Sequence, residues 1–379
     1  MRVTIAMDSF KGSLSSRQCG EAVSEGIRRV FPDAVIKVVA LADGGEGTAE
    51  TLTEALKGET VRVCVTGPLG TRFPASYGIV RDRGLALIDA ASAAGLTLIS
   101  PEDRNPMDTT TYGIGEMILD AAGRGCRDFI IGLGGSSTND GGAGMLSALG
   151  YAFLDRDGRP VHPGAYGLRF IDRIDTSAAA PVLKDCRFRI ACDVKNPLCG
   201  ENGSSAVYSP QKGARPEDIP LMDSSLSLYA EKIGEVFPGA DPDREGAGAA
   251  GGLGFAFQSV LGAETVPGVE LVLEISGAEE LFKNSDIVVT GEGRLDFQSA
   301  FGKAPVGVGK TAGRHGVPVI SLSGCVGPGA GECNSRGIDA FFPVLKGPCT
   351  VEEAMDPVLT YENTADAAEQ VFRLIRAVR

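Results

Sequence analysis

Short apolar runs alternate with glycine-rich polar loops and amphipathic stretches along this 379-residue chain. Val3-Thr4-Ile5-Ala6-Met7 predicts a buried strand, and the polar loop after it leads into an amphipathic helix over roughly 16–31. Val35-Ile36-Lys37-Val38-Val39-Ala40-Leu41 predicts a second strand, followed by another loop and a helix over roughly 48–56. Strand, loop, helix, strand is the rhythm of a parallel sheet. It returns near the C-terminus, where Asp286-Ile287-Val288-Val289-Thr290, Val317-Pro318-Val319-Ile320-Ser321-Leu322 and Ala340-Phe341-Phe342-Pro343-Val344 read as strands. A helix over roughly 364–378 closes the chain. The two ends together supply about five parallel strands, the number in a flavodoxin-like sheet.

The middle differs. Segments 60–65, 73–80 and 85–88 read as consecutive strands joined by short turns at Pro68, Gly70 and Asp82-Arg83-Gly84. That pattern predicts a mixed sheet. The expected architecture is therefore α/β: a discontinuous flavodoxin-like domain, 1–65 with 285–379, and an inserted α/β domain of mixed sheet, 66–284. No internal repeat interrupts this reading.

Composition narrows the function classes. A net charge of −13 disfavours a nucleic-acid partner, which the chain would repel. Nine scattered cysteines without a Cys-x-x-Cys pair read as reduced thiols of a cytoplasmic protein. Only His162 and His315 are present, which excludes a histidine-rich zinc site and disfavours a Ser-His-Asp triad. The chain enters a strand at once, without a targeting segment, and no apolar stretch is long enough to span a membrane.

The candidate chemistry sits in the loops after the strands. Phe129-Ile130-Ile131-Gly132-Leu133 predicts a strand, and 143–149 a helix. Between them runs Gly134-Gly135-Ser136-Ser137-Thr138-Asn139-Asp140-Gly141-Gly142, poor core material that suits a backbone cradle for an anion. The expected anion is a phosphate, with Asp140 helping to hold its magnesium ion. Asp8-Ser9-Phe10-Lys11-Gly12-Ser13 follows the first strand, where open α/β sheets bind ligands. There Lys11 suits an anion and Ser9 and Ser13 suit its orientation, unless Ser13 or Ser15 merely caps the next helix. Asp43-Gly44-Gly45-Glu46-Gly47-Thr48 offers two carboxylates for a metal, a proton or hydroxyls, or else a turn ending in a Thr48 cap. Asp193 emerges at the end of a strand starting near Arg187, and Ser209-Pro210-Gln211-Lys212-Gly213 follows with a phosphate-compatible lysine. Thr290-Gly291-Glu292-Gly293-Arg294-Leu295-Asp296 brings two carboxylates and an arginine to one turn, and arginine suits bidentate carboxylate binding.

Two motifs are discounted. Gly246-Ala247-Gly248-Ala249-Ala250-Gly251 fits G-x-G-x-x-G but follows no strand, so it reads as a tight helix start. Gly309-Lys310-Thr311 lacks the upstream glycine of a phosphate loop, which places Lys310 on an exposed helix face.

These loops, in this order, resemble the bacterial glycerate kinases of the glycerate 2-kinase type. The resemblance is carried by Ala6-Met7-Asp8-Ser9-Phe10-Lys11-Gly12-Ser13-Leu14, Ala42-Asp43-Gly44-Gly45-Glu46-Gly47-Thr48, Thr66-Gly67-Pro68-Leu69-Gly70, the glycine run, Cys192-Asp193, Pro210-Gln211-Lys212-Gly213, 246–252 and the loop after Gly291. Met7 stands where the family usually has proline, Asp89 where it has glutamate, Ala94 serine and Ile114 threonine. The resemblance implies ATP-dependent phosphorylation of D-glycerate with magnesium (Mg2+), at a site in the cleft between two domains.

On that reading Gly134, Gly135, Ser136, Thr138, Asn139, Asp140, Gly141, Gly142 and Lys212 would hold the ATP phosphates. Asp140, Asp193 or Glu292 would hold the magnesium. Arg294 and Lys11, with Asp8, Ser9 and Ser13, would bind glycerate. Asp193 is the preferred general base, with Asp296 and Asp43 behind it. Other readings are a kinase for another small hydroxy acid, a dehydrogenase using 246–251 with NAD, and a nucleotide-binding regulator without turnover.

Overall fold

The computed structural model describes residues 1–42, 44–45 and 47–378. The chain divides into two compact units, Met1–Asp43 with Val269–Arg379, and Gly44–Gly268.

The first unit is built on a five-stranded parallel sheet in the order Ala340–Pro343, Val319–Ser323, Ile287–Gly291, Arg2–Met7, Val35–Ala40. Numbered along the chain, its strands lie 5-4-3-1-2, the flavodoxin-like order. Five of the six residues of Arg2–Met7 are buried, as a central parallel strand requires. The helices Ser16–Arg28 and Pro357–Val378 pack together, and Ile5, Val23, Ile27, Val289, Leu322 and Phe372 share one core. Ser15 caps the helix Ser16–Arg28 and forms a reciprocal capping box with Gln18.

The second unit carries a six-stranded mixed sheet in the order Glu264–Val266, Arg187–Ala191, Asp128–Gly132, Leu85–Asp89, Arg72–Val80, Glu59–Thr66. The first four of these strands are parallel, and the last three are joined by antiparallel pairings. Glu59–Thr66 pairs along its whole length with Arg72–Val80, and the helix Thr48–Ala55 packs on this sheet. Both therefore fall in the second unit, upstream of the edge near 65 that strand rhythm suggests. Apolar periodicity marks a helix but not which sheet it covers. At the other end the division falls at Gly268 rather than near 285. Phe129 and Phe188 stack at 5.0 Å in a core that includes Tyr77, Ile131, Ile190, Tyr229, Phe255 and Phe257.

The nine cysteines are unbridged. Among the described residues no helix is long and apolar enough to cross a membrane. Lys310 lies exposed on the helix Ala304–Gly313. The motif at 246–251 departs from a simple helix start: the helix Ala249–Ser259 is interrupted by left-handed residues Ala250, Gly251 and Gly252, with φ of 53, 75 and 86°.

Candidate functional site

In the first unit, chain order reverses between Arg2–Met7 and Ile287–Gly291, the switch point where open α/β sheets bind ligands. Asp8 and Glu292 leave the carboxyl ends of these two strands, and Asp8 N–H donates to Gly291 O at 2.9 Å. A side chain added at Gly293 would touch Phe10 Cα and Lys11 N at 3.7 and 3.8 Å, so the two loops run against one another.

Glu292 is the unusual group here. It is 7% exposed, and its Oε1 has no hydrogen-bond partner. Burial pushes its carboxyl up to about 7; the Ser299 hydroxyl and the Lys303 ammonium oppose the rise, while the charges of Asp8 and Asp296 add to it. On the same strand, Thr290 Oγ1 is also buried without a partner. Asp296 accepts from Gln298 N at 2.9 Å and pairs with Arg294 Nε at 3.2 Å. The Arg294 side chain is otherwise largely exposed. Ser299, fully buried, accepts from Asp296 N at 3.1 Å, and so ties Asp296 to the turn that holds Glu292.

Around this edge, Lys11 is exposed, and Ser9 donates through its N–H to Asp8 Oδ1 at 2.7 Å. Ser13 points elsewhere, its hydroxyl donating to Thr360 Oγ1 at 2.9 Å. Asp43 lies outside the described residues.

In the second unit the glycine run leaves the carboxyl end of Asp128–Gly132. It is tied down along its length. Gly135 O accepts from Leu96 N, Ser137 N and Oγ both donate to Ala94 O, and Ser137 O accepts from Thr109 Oγ1. Asn139 is fully buried; its amide donates to Ser205 Oγ at 3.0 Å, and its carbonyl accepts from Ser204 and Ser209 at 3.3 and 3.1 Å. Asp140 is fully buried too. Its Oδ2 accepts from Thr111 N, Thr111 Oγ1 and Gly144 N, and its Oδ1 from Gly142 N. Burial pushes the Asp140 carboxyl up, and these hydrogen bonds only partly oppose the rise.

Lys212 is 3% exposed and donates to Ser136 Oγ at 2.9 Å and Thr138 O at 2.7 Å. Burial depresses its ammonium to about 7, against the attraction of Asp140. Gly141 N donates to Gly251 O at 2.9 Å, and a side chain at Gly251 would collide with Thr138 O at 1.9 Å. The left-handed turn after Gly248 thus packs directly on the run.

Asp193 is exposed just beyond the strand Arg187–Ala191, and its Oδ1 accepts from Gly268 N at 2.9 Å. Thr48 does not cap its helix. Asp89, at the end of Leu85–Asp89, does so instead, accepting from Gly47 N and Ala49 N.

The structure thus gathers Asp8, Ser9, Lys11, Glu292, Arg294 and Asp296 at the first sheet's edge, and the run with Lys212 in the second unit. It adds groups that sequence reading missed: Ser299, Thr111, Thr109 and the serines at 204, 205 and 209. The consecutive hydroxyls Thr109-Thr110-Thr111 and Ser204-Ser205, and Ser209 in the loop of Lys212, offered a signal; Ser299 offered none.

The sequence profile of the glycerate kinase family matches residues 3–376. The chain is 44% identical over 371 residues to glycerate 2-kinase of Escherichia coli K12, covering 98% of this chain and 97% of that one. It is 44% identical over 353 residues to glycerate kinase of Halalkalibacterium halodurans, covering 93% of each. A Salmonella typhimurium LT2 crystal structure assigned as a glycerate kinase 2 superposes with a TM-score of 0.90 at 42% identity, covering 100% of this chain and 98% of that one.

Proposed function

Because the chain belongs to the glycerate kinase family, we propose that it phosphorylates D-glycerate with ATP, giving 2-phosphoglycerate. Kinship with a glycerate 2-kinase supports both substrate and product. The structural observation that carries the chemistry is Glu292, a buried carboxylate with one unpartnered oxygen at the sheet's switch point.

Phosphoryl transfer asks for positioning and charge stabilisation more than covalent chemistry. In the first unit, the Arg294 guanidinium and the Lys11 ammonium would bind the glycerate carboxylate. Glu292, whose carboxyl is pushed up to about 7, would accept the proton of the attacking hydroxyl. It replaces Asp193 as the preferred base, because its buried Oε1 stands without a partner at the switch point whereas Asp193 Oδ1 already accepts from Gly268 N. In the second unit, the backbone of 134–142 would hold the ATP phosphates, its fixed carbonyls and inward side chains leaving a preformed turn.

Magnesium takes hard oxygen ligands and often only one or two carboxylates beside the phosphates. Among the described residues no group of three His, Cys, Asp or Glu side chains is placed to hold a metal. Asp193, exposed at a strand end, fits such a partial site; Asp140, with four internal hydrogen bonds, does not. Bound with ATP, the ion would neutralise charge developing on the transferred phosphoryl group. The unbridged thiols suit a reducing compartment such as the cytoplasm.

Purified protein is expected to release ADP only when D-glycerate accompanies ATP. Reduction of NAD in place of ADP release would favour a dehydrogenase, and ATP binding without ADP release a regulator.

A further inference from the structure

Resting on the reading that the run 134–142 holds the ATP phosphates, we infer that Lys212 is a positioning residue: it acts through Ser136 and the Thr138 carbonyl and does not itself touch phosphate. A lysine beside a glycine-rich phosphate loop ordinarily suggests a direct charge contact. The geometry here points the other way. Lys212 is 3% exposed, and its Nζ is engaged with the run itself, at Ser136 Oγ and Thr138 O.

The hydrogen-bond directions give that contact a purpose. Lys212 Nζ is the donor to Ser136 Oγ, which accepts from it. The single hydrogen of Ser136 is then left for another acceptor, and a phosphate oxygen is such an acceptor. Holding Thr138 O fixes the peptide two residues further on, which sets the direction of the following N–H groups. The turn that carries Lys212 is itself fastened to the run: Ser209, three residues earlier, donates to Asn139 Oδ1, and Ser204 and Ser205 hold the same amide. A side chain anchored at both ends can transmit position.

The arrangement is tested by a double-mutant cycle on the intact protein with ATP and D-glycerate: wild type, Ser136→Ala, Lys212→Met and the double variant, each checked for folding by circular dichroism. Ser136→Ala is expected to raise the KM for ATP about tenfold, with the KM for glycerate unchanged. Lys212→Met is expected to lower kcat/KM for ATP by at least as much. In the double variant the loss should fall well short of the product of the two single losses, because Lys212 acts in part through the Ser136 hydroxyl that the other substitution removes. A double loss within about twofold of that product would overturn the proposal, as expected of a lysine that meets phosphate independently. If Lys212→Met fails to fold, Ser136→Ala still decides, since a kcat/KM for ATP within about twofold of wild type overturns it. Wild type that turns over no glycerate would instead overturn the proposed activity.

Discussion

Thr111 gives Asp140 Oδ2 two hydrogen bonds, from its backbone N–H and from its hydroxyl, each at 2.8 Å. The same hydroxyl accepts from Met145 N at 2.9 Å, so one threonine joins the glycine run to the helix that follows it. Asp140 is thus a structural pin rather than a ligand. Thr111→Val keeps the shape but removes one of three hydrogen bonds to Asp140 Oδ2 and leaves the Met145 N–H without its acceptor. It should destabilise the protein by about 2–3 kcal/mol, measured by urea unfolding.

Glu292 should control the pH dependence of turnover. With its carboxyl pushed up to about 7, kcat/KM for glycerate is expected to fall tenfold per pH unit below that value and to level off above it. Glu292→Gln should lower kcat by about a hundredfold or more and leave the KM for ATP near wild type.

The same residue should affect stability with the opposite sign. A carboxyl raised in the folded state above its ordinary value of 4.5 favours folding most below pH 4.5, and that contribution is lost as pH rises through about 7. Glu292→Gln removes the cost of a buried charge. At pH 8 the variant should therefore exceed wild type in stability, by up to about 3 kcal/mol, and the gain should vanish at pH 4.5. Urea unfolding at the two pH values checks this.

Arg294 offers the planar fork that a carboxylate takes in two hydrogen bonds, while its Nε is steadied by Asp296 at 3.2 Å. Arg294→Lys should keep the charge and lose the fork. It is expected to raise the KM for glycerate by about tenfold or more without changing that for ATP.

Gly251→Ala should act on the run from outside it. The added methyl would meet Thr138 O, and φ of 75° is strained for alanine. A loss of about 2 kcal/mol or more in stability is expected, together with weaker ATP binding seen by calorimetry.

Much of this was legible in the chain itself. Apolar runs such as Val3-Thr4-Ile5-Ala6-Met7 and Phe129-Ile130-Ile131 mark strands because parallel strands are buried on both faces. Acids and glycines crowded after such runs marked the loops at the carboxyl ends of strands, including those of Glu292 and the glycine run. The direction in which polar side chains turn was not legible. Asn139, Asp140 and Lys212 have the composition of ligand contacts, yet each faces inward, onto partners at Ser204, Thr111 and Ser136 that are distant in sequence. Ser13 likewise turns to Thr360 rather than to the sheet edge. The left-handed conformation of Ala250 carries no local signal either, since alanine prefers negative φ and only packing holds it there.

Phosphorus NMR of the product formed from D-glycerate and ATP tests the central claim most directly. The account predicts one new phosphomonoester signal, coupled to the single C2 proton of 2-phosphoglycerate, growing as ADP accumulates. A signal coupled to the C3 methylene protons would contradict the assigned position of transfer, and no new phosphomonoester would contradict the activity itself.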